Sequence, residues 1–191
     1  MAGIGFRLKK YFQEGSFLGN VQGAIYSVII SSGPWLISVV TIAVVSYFAQ
    51  KEIGTDDLYV LKSIICYTFA LSLILFGMVE MPLTRYLADQ LYKNDYSTFK
   101  SVFLYSITTM IGIAVIICQV FYSFFPSFNS NIILACTTFF GSVLVIWLSM
   151  IFLSAAKNYH QISISFLTGG VISIALSIFL GQKYQLEGYI T

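Results

Sequence analysis

The sequence predicts an all-α protein, a polytopic membrane helix bundle of about five transmembrane helices. The composition supports this, because 58% of the residues are hydrophobic and 9% are charged. Soluble domains carry about 25% charged residues, so a chain this poor in charge is typical of an integral membrane protein. The distribution of the charges agrees, since residues 15–50, 63–79, 101–156 and 158–182 contain none.

Each charge-free run approaches or exceeds the length of a membrane span, because about 20 apolar residues cross the hydrocarbon core. The third run is long enough for two spans, and Pro126 with its serine and asparagine neighbours marks a turn inside it. We therefore expect helices near residues 21–48, 58–81, 99–124, 132–156 and 162–180. The second helix is expected to continue past Pro82 into a charged, amphipathic stretch over residues 84–92.

The first helix contains a proline near its middle, within the sequence Ser31-Ser32-Gly33-Pro34-Trp35. Proline lacks the backbone N–H and clashes with the preceding turn, so this span is predicted to be kinked. The carbonyl freed by Pro34 belongs to Ile30, and the hydroxyls of Ser31 and Ser32 lie beside it. A kinked, serine-lined first helix favours a transporter over a simple anchor.

The lysines and arginines predict the orientation. Cytoplasmic segments are enriched in these residues. With a cytoplasmic N-terminus, the inner segments hold Arg7, Lys9, Lys10, Arg85, Lys93, Lys100 and Lys157, and the outer segments hold Lys51, Lys62 and Lys183. This bias supports a cytoplasmic N-terminus, and an odd number of helices then leaves Thr191 outside.

The two ends of the chain carry separate expectations. Residues 1–14 mix apolar side chains with three cations, which favours an amphipathic cytoplasmic segment on the inner leaflet over a flexible basic tail. The transmembrane bundle is expected to occupy residues 15–191. Residues 182–191 resemble a short loop leading into another apolar segment, so we expect the chain to be truncated before a sixth helix.

Three helices have a stripe of small or polar residues at helical spacing. Such stripes could line a hydrated path for a polar solute, but small and hydroxyl residues also mediate close helix packing in lipid. Both interpretations stay open. The stripes are Asn20, Gly23, Ser27, Ser31, Pro34, Ser38 and Thr41 in the first helix, Ser101, Tyr105, Thr108, Gly112, Gln119 and Tyr122 in the third, and Ser163, Gly170, Ser173, Ser177 and Gly181 in the fifth.

Charged residues near the membrane are few. Glu80 lies at the inner end of the second helix, and Arg85 follows about one turn later, where it could pair with Asp89. An ionisable residue at a membrane span is a functional candidate, although the position of Glu80 favours an interfacial charge over a gate or cavity residue. The candidate substrate-path residues are Ser27, Ser31, Pro34, Ser38, Thr41, Tyr105, Glu80 and Arg85.

No catalytic, metal or cofactor pattern is present in the sequence. The cysteines Cys66, Cys118 and Cys136 lie in apolar stretches and are expected to be small buried hydrophobes. The only histidine, His160, lies in a short predicted loop. We therefore expect a protein that is not an enzyme, with no cofactor, no metal and no nucleic-acid partner.

Three segments resemble the PelG family of Pel exopolysaccharide transporters. They are residues 1–10 (MAGIGFRLKK), residues 29–36 (IISSGPWL) and residues 84–92 (TRYLADQLY). The first two are specific, and the likeness extends to residues 180–182 and 186–189.

The resemblance implies a fold of the multidrug/oligosaccharidyl-lipid/polysaccharide flippase superfamily, with about twelve helices in two six-helix lobes around a central cavity. On this basis the chain is most of the first lobe, and its partners are the second lobe, the lipid bilayer and the polysaccharide. A cytosolic glycosyltransferase and a cyclic di-GMP-sensing membrane partner are implied as well, all at the bacterial inner membrane. The cavity arginines of lipid-linked-sugar flippases are missing from the spans, so a pyrophosphate-linked substrate is not expected.

The expected function is therefore export of a Pel-like polysaccharide across the cytoplasmic membrane, through a cavity completed by a second lobe. Hydroxyl stripes and the aromatic faces of Tyr26, Trp35, Tyr67 and Tyr105 suit a sliding sugar chain. Two alternatives stay open: a non-transporting scaffold subunit of a polysaccharide synthase complex, and a small-molecule efflux protein of the same superfamily.

Overall fold

Five long helices and one short helix make up the described structure. The computed structural model describes residues 17–93, 97–124, 129–155 and 159–190. The helices are α1 (Phe17–Glu52), α2 (Thr55–Tyr92), α3 (Ser97–Ser123), α4 (Ser130–Ala155), α5 (Tyr159–Tyr184) and α6 (Leu186–Ile190). Helices α1 to α5 each contain a segment long and apolar enough to cross a membrane, which confirms the all-α polytopic bundle.

The helices form where the sequence predicts them, because a helix satisfies its own backbone N–H and C=O groups in a solvent that offers none. Helix α2 continues through Pro82 to Tyr92, as expected from its amphipathic end. In that end, Leu83 and Leu87 are buried while Arg85 is exposed. The extension is therefore held by an apolar face that packs on the bundle.

Helix α1 runs through Pro34, which is buried. The Ser38 hydroxyl donates a hydrogen bond of 2.9 Å to the Pro34 carbonyl oxygen, one turn back. A serine that bonds to the carbonyl four residues earlier often bends a helix, so the proline and this bond act at the same point. The kink itself stays a prediction.

Helix α4 is the centre of the bundle. In its most apolar segment 44% is buried inside the bundle, against 6–17% in the corresponding segments of the other four long helices. It packs along α2 and α3, while α1 packs chiefly along α5. The bundle therefore consists of a three-helix group and a helix pair, and α4 also contacts α5.

Two apolar clusters hold opposite ends of the bundle. At the Glu52 end, where α1 ends and α2 begins, Ala49, Leu61, Cys136 and Tyr189 belong to one buried cluster. At the Tyr92 end, where α2 ends and α3 begins, Leu83, Leu87, Met110, Leu148, Ile151 and Phe152 form another. These clusters join α2, α3 and α4 to one another at one end and bring in α1 and α6 at the other.

The end of the chain differs from the short loop that the sequence suggested. Helix α5 runs to Tyr184, and Gln185 alone makes the turn with a φ of 51°, the left-handed conformation common after a helix. Helix α6 then folds back, with Tyr189 and Ile190 buried. An apolar segment does follow, but it packs on the bundle directly after a tight corner.

One prediction about the cysteines is wrong. Cys118 and Cys136 are buried as expected, but Cys66 is exposed on the outside of the bundle. An apolar stretch of α2 has one face towards the other helices and one towards lipid, and hydropathy alone does not distinguish them. The amphipathic segment expected at residues 1–14 lies outside the described residues, as do the turn at Pro126 and the side chain of His160.

Helices α1 and α5 approach closely at Gly170. A Cβ atom on Gly170 would lie 2.8 Å from the Thr41 Oγ1 atom and 3.1 Å from the Ile37 Cγ2 atom. Both distances are shorter than an ordinary van der Waals contact, so a larger residue requires the Thr41 and Ile37 side chains to shift. Association of helices in lipid relies on such close contacts, since lipid tails are as apolar as leucine.

We expect the free energy of unfolding of Gly170→Ala to be about 1–3 kcal/mol lower than that of Gly169→Ala, because overpacking forces the two helices apart. Gly169→Ala is the matched control, since a Cβ atom there meets nothing within 4 Å. Alanine favours a helix over glycine by about 1 kcal/mol, so the control should be as stable as the wild type or more stable. Thermal unfolding in detergent measures both, and equal stability of the two variants would contradict the close contact.

Candidate substrate cavity

A cavity of about 620 Å³ lies between α1, α4 and α5. Residues of α2 and the last residues of α6, Tyr189 and Ile190, complete its wall towards the Glu52 end. Sites for small organic ligands range from about 300 to 1,000 Å³. The cavity is therefore large enough for a small organic molecule or for part of a longer chain.

The wall of the cavity is apolar with interspersed hydroxyl groups. Among the residues described, no carboxylate, ammonium, guanidinium or imidazole group lines it. Within the described part of the chain, the Tyr189 phenol is the one titratable side chain on the wall. The aliphatic hydroxyls come from Ser38, Thr41, Ser142, Ser149, Ser165, Ser173 and Ser177.

Most of these hydroxyls are available to a ligand. Ser38 donates to the Pro34 carbonyl, but the other cavity hydroxyls make no hydrogen bond to a described residue. By contrast, Thr108 and Thr168, outside the cavity, each donate to a carbonyl of their own helix, at 2.8 and 2.9 Å. A hydroxyl that faces lipid can donate its hydrogen bond to a backbone carbonyl of its own helix in this way. The cavity hydroxyls other than that of Ser38 make no such bond and can donate to a ligand.

The close contact of α1 and α5 places hydroxyls of both helices on the same wall. Gly170 lets Thr41 approach the α5 backbone, and Ser173 and Ser177 follow Gly170 by one and two turns. Helix α4 adds Ser142 and Ser149 from the side. Polar residues of the α1 and α5 stripes therefore lie side by side along one space.

A polar cluster lies at the Glu52 end of the bundle, beside the cavity. The Tyr189 hydroxyl donates to the Glu52 Oε2 atom, and the Gln182 side-chain amide donates to the Oε1 atom at 3.2 Å. Gly181 leaves room for the Tyr189 ring, which occupies the space that a Cβ atom there would need. The cluster ties the end of α1 to α5 and α6.

Burial raises the pKa of the Tyr189 phenol from 10.0 to about 12, and the hydrogen bond to the Glu52 carboxylate adds to the shift. The neutral phenol is the form that donates to a carboxylate, so this environment holds its proton. Tyr189 therefore remains a neutral donor over the whole physiological range.

The structure brings only some of the predicted site residues together. Ser38 and Thr41 line the cavity, and Pro34 is buried one turn before Ser38. Ser27 and Ser31 lie on α1, but their side chains are outside the described part of the chain.

The other three candidates lie elsewhere. Tyr105 on α3 is 76% exposed and does not line the cavity. Glu80 and Arg85 on α2 are exposed on the outside of the bundle, away from the cavity wall. Arg85 and Asp89 form no ion pair with each other, although their spacing would allow one.

Sequence reasoning missed the contribution of α4. Ser142 and Ser149 are seven residues apart, two helical turns, and this spacing was a readable sign of a polar face. Glu52, Gln182 and Tyr189 were also missed, because their sequence positions do not show that two helix ends meet. Among the residues described, no group of three His, Cys, Asp or Glu side chains is placed to hold a metal ion.

The fold and the cavity define a polytopic α-helical membrane protein with a hydroxyl-lined cavity between its helices, uncharged over the residues that the structure describes. A comparison with protein families identifies the group to which it belongs. The model of the family PelG, described as "Putative exopolysaccharide Exporter (EPS-E)", matches residues 1–191, and the chain belongs to this family. It is a family of exporters and not of enzymes. No curated protein and no solved structure matches the chain.

We expect Tyr189→Phe to lower the free energy of unfolding by about 1–2 kcal/mol, because it removes a hydrogen bond to a carboxylate. Tyr184→Phe is the control, since Tyr184 is on the same corner but 52% exposed. The contribution of Tyr189 is complete below pH 10, where both states hold the proton, and is lost as the pH rises to about 12, the folded-state pKa. Melting temperatures measured between pH 9 and pH 12 should therefore fall more steeply for the wild type than for Tyr189→Phe, and parallel curves would contradict this bond.

Proposed function

We propose that the chain is part of an exporter that moves an exopolysaccharide across the bacterial cytoplasmic membrane. The observation that carries the proposal is the cavity of about 620 Å³ in a member of an exopolysaccharide exporter family, whose described lining residues offer several hydroxyls and carry no charge. In this proposal the cavity forms one wall of the path, and a second lobe of the same protein supplies the other.

The chemistry of the wall suits a sliding sugar chain. A sugar residue carries several hydroxyls, and serine and threonine both donate to and accept from them. Each neutral hydrogen bond contributes only about 0.5–1.5 kcal/mol net, so the chain is held at many points and strongly at none. A fixed charge would bind one position tightly and stop the movement.

The surroundings of the exporter follow from the same proposal. The lysine and arginine bias supports a cytoplasmic N-terminus, so the Glu52 end and α6 would face the outside of the cell. A glycosyltransferase that delivers the polymer would then act at the Tyr92 end. A cyclic di-GMP-sensing membrane partner belongs to this proposal as well, as the PelG resemblance implies.

We expect Ser173→Phe to reduce export at least tenfold, because a ring on α5 would fill the cavity between Thr41 and α4. Val171→Phe is the matched control: Val171 lies two residues away on the same helix, is 61% exposed, and does not line the cavity. Secreted polysaccharide is measured at equal amounts of membrane-inserted protein. If Ser173→Phe and Val171→Phe export equally and still bind their partners, the result would favour a scaffold. If Ser173→Phe makes cells sensitive to drugs while export stays normal, the result would favour small-molecule efflux.

Water in the cavity is tested by cysteine labelling in a variant that lacks the three native cysteines. Thr41→Cys should react with a small, charged, membrane-impermeant thiol reagent in the whole protein, because its side chain lines the cavity. Val40→Cys is the control, since Val40 is 59% exposed on the outer face of α1 and would contact lipid. Equal protection of both positions would count against a hydrated path.

A further inference from the structure

Aromatic rings from three helices meet at a place separate from the cavity. Trp35 on α1 and Trp147 on α4 have ring centroids 6.5 Å apart, with 42° between their planes. Phe76 on α2 lies on Trp147 with centroids 5.8 Å apart and planes at 33°. None of the three lines the cavity described above. We call these three residues the aromatic cluster.

The ring of Trp147 is held in one orientation. Its indole N–H donates to the Ser72 hydroxyl oxygen at 3.2 Å, and Ser72 is fully buried. The Ser72 hydroxyl in turn donates to the Phe69 carbonyl oxygen at 2.9 Å. The Trp147 ring is therefore held in place, because its indole N–H is hydrogen-bonded and Phe76 packs against the ring.

Trp35 is the tryptophan of the cluster whose ring is accessible to a ligand. Its side chain is 54% exposed, and its indole N–H meets no acceptor among the residues described. An indole combines a large apolar face with one hydrogen-bond donor, and that donor usually finds a partner when water is excluded. Trp35 thus presents a flat apolar face and a free N–H group on the same side chain.

The cluster lies beside the part of the cavity that is farthest from Glu52. Trp35 precedes Glu52 by about 26 Å along α1, at 1.5 Å per residue. It therefore lies well away from the Glu52 end, near the middle of α1. Ser38, one turn after Trp35, and Ser149, two residues after Trp147, both line the cavity, so the cluster adjoins the cavity wall.

We propose that the aromatic cluster is a sugar-binding site, where one ring of the polysaccharide stacks on Trp35 beside the cavity before it meets the hydroxyls. Pyranose rings carry C–H groups on their faces and hydroxyls on their edges. The faces pack on an indole plane, and a hydroxyl of a neighbouring sugar residue, beside the indole, accepts from its N–H, which points outwards in the plane of the ring. This inference rests on the proposed function for the identity of the ligand, but it concerns a different group of residues.

The site is tested by tryptophan fluorescence, because the two tryptophans of the chain are both in the cluster. The purified protein in lipid nanodiscs is titrated with N-acetylchitotetraose, chitotetraose and maltotetraose as defined probes. At least one probe should change the emission in a saturable way. Trp35→Leu should weaken the apparent affinity about tenfold, as expected for loss of about 1.4 kcal/mol of stacking, while Trp35→Tyr should stay within about threefold.

Two controls separate this site from a membrane anchor. Phe179→Leu removes an aromatic ring that is 67% exposed on α5 and should leave the titration unchanged. Nanodiscs containing brominated phospholipid report contact of Trp35 with acyl chains. Strong quenching by this lipid together with no response to any probe would overturn the proposal, because Trp35 would then be an interfacial anchor.

Binding and export are read out separately, so failure of one proposal is distinguishable from failure of the other. A sugar response that requires Trp35, together with normal export by Ser173→Phe, would keep the aromatic site and reject the cavity as the path. Loss of export in Ser173→Phe with identical titrations for the wild type and Trp35→Leu would keep the exporter and reject the aromatic site.

Discussion

The close packing of α1 along α5 is the contact on which the rest of the site depends. In lipid, apolar burial does not drive helices together, so association requires surfaces that fit at short range. Gly170 supplies that fit, because even a methyl group there would press on the Thr41 and Ile37 side chains. This one contact turns the polar faces of the first and fifth helices towards the same space, and α4 closes the space from the side.

The same contact explains why the cavity ends where it does. With α1 and α5 side by side, Glu52 at the end of one helix reaches Gln182 near the end of the other. The tight turn at Gln185 then brings Tyr189 back onto the same carboxylate. A charged residue is thus placed at the boundary of the bundle, where its hydrogen bonds are satisfied, and the cavity behind it remains uncharged.

Hydroxyl groups serve two different purposes in this bundle. Thr108 and Thr168 bond to carbonyls of their own helices, which makes a polar side chain compatible with lipid. Thr41 and Ser173 line a cavity and make no such bond, so their bonding capacity remains for a ligand. The aromatic cluster adds flat apolar surface beside this wall, and together the two provide the contacts that a sugar chain can exchange as it moves.

The sequence by itself determined the number of spanning helices, their approximate limits and the amphipathic end of α2, because each depends on local hydropathy and charge. It also identified one polar face each on α1 and α5. Only the tertiary structure decided that Ser38 and Thr41 share a cavity with Ser173, while Tyr105, Glu80 and Arg85 lie outside it. A stripe at helical spacing shows that residues share a face, but which neighbour that face meets depends on contacts between distant segments. For that reason the local sequence could not predict that Glu52 pairs with Tyr189 or that Trp35 packs near Trp147.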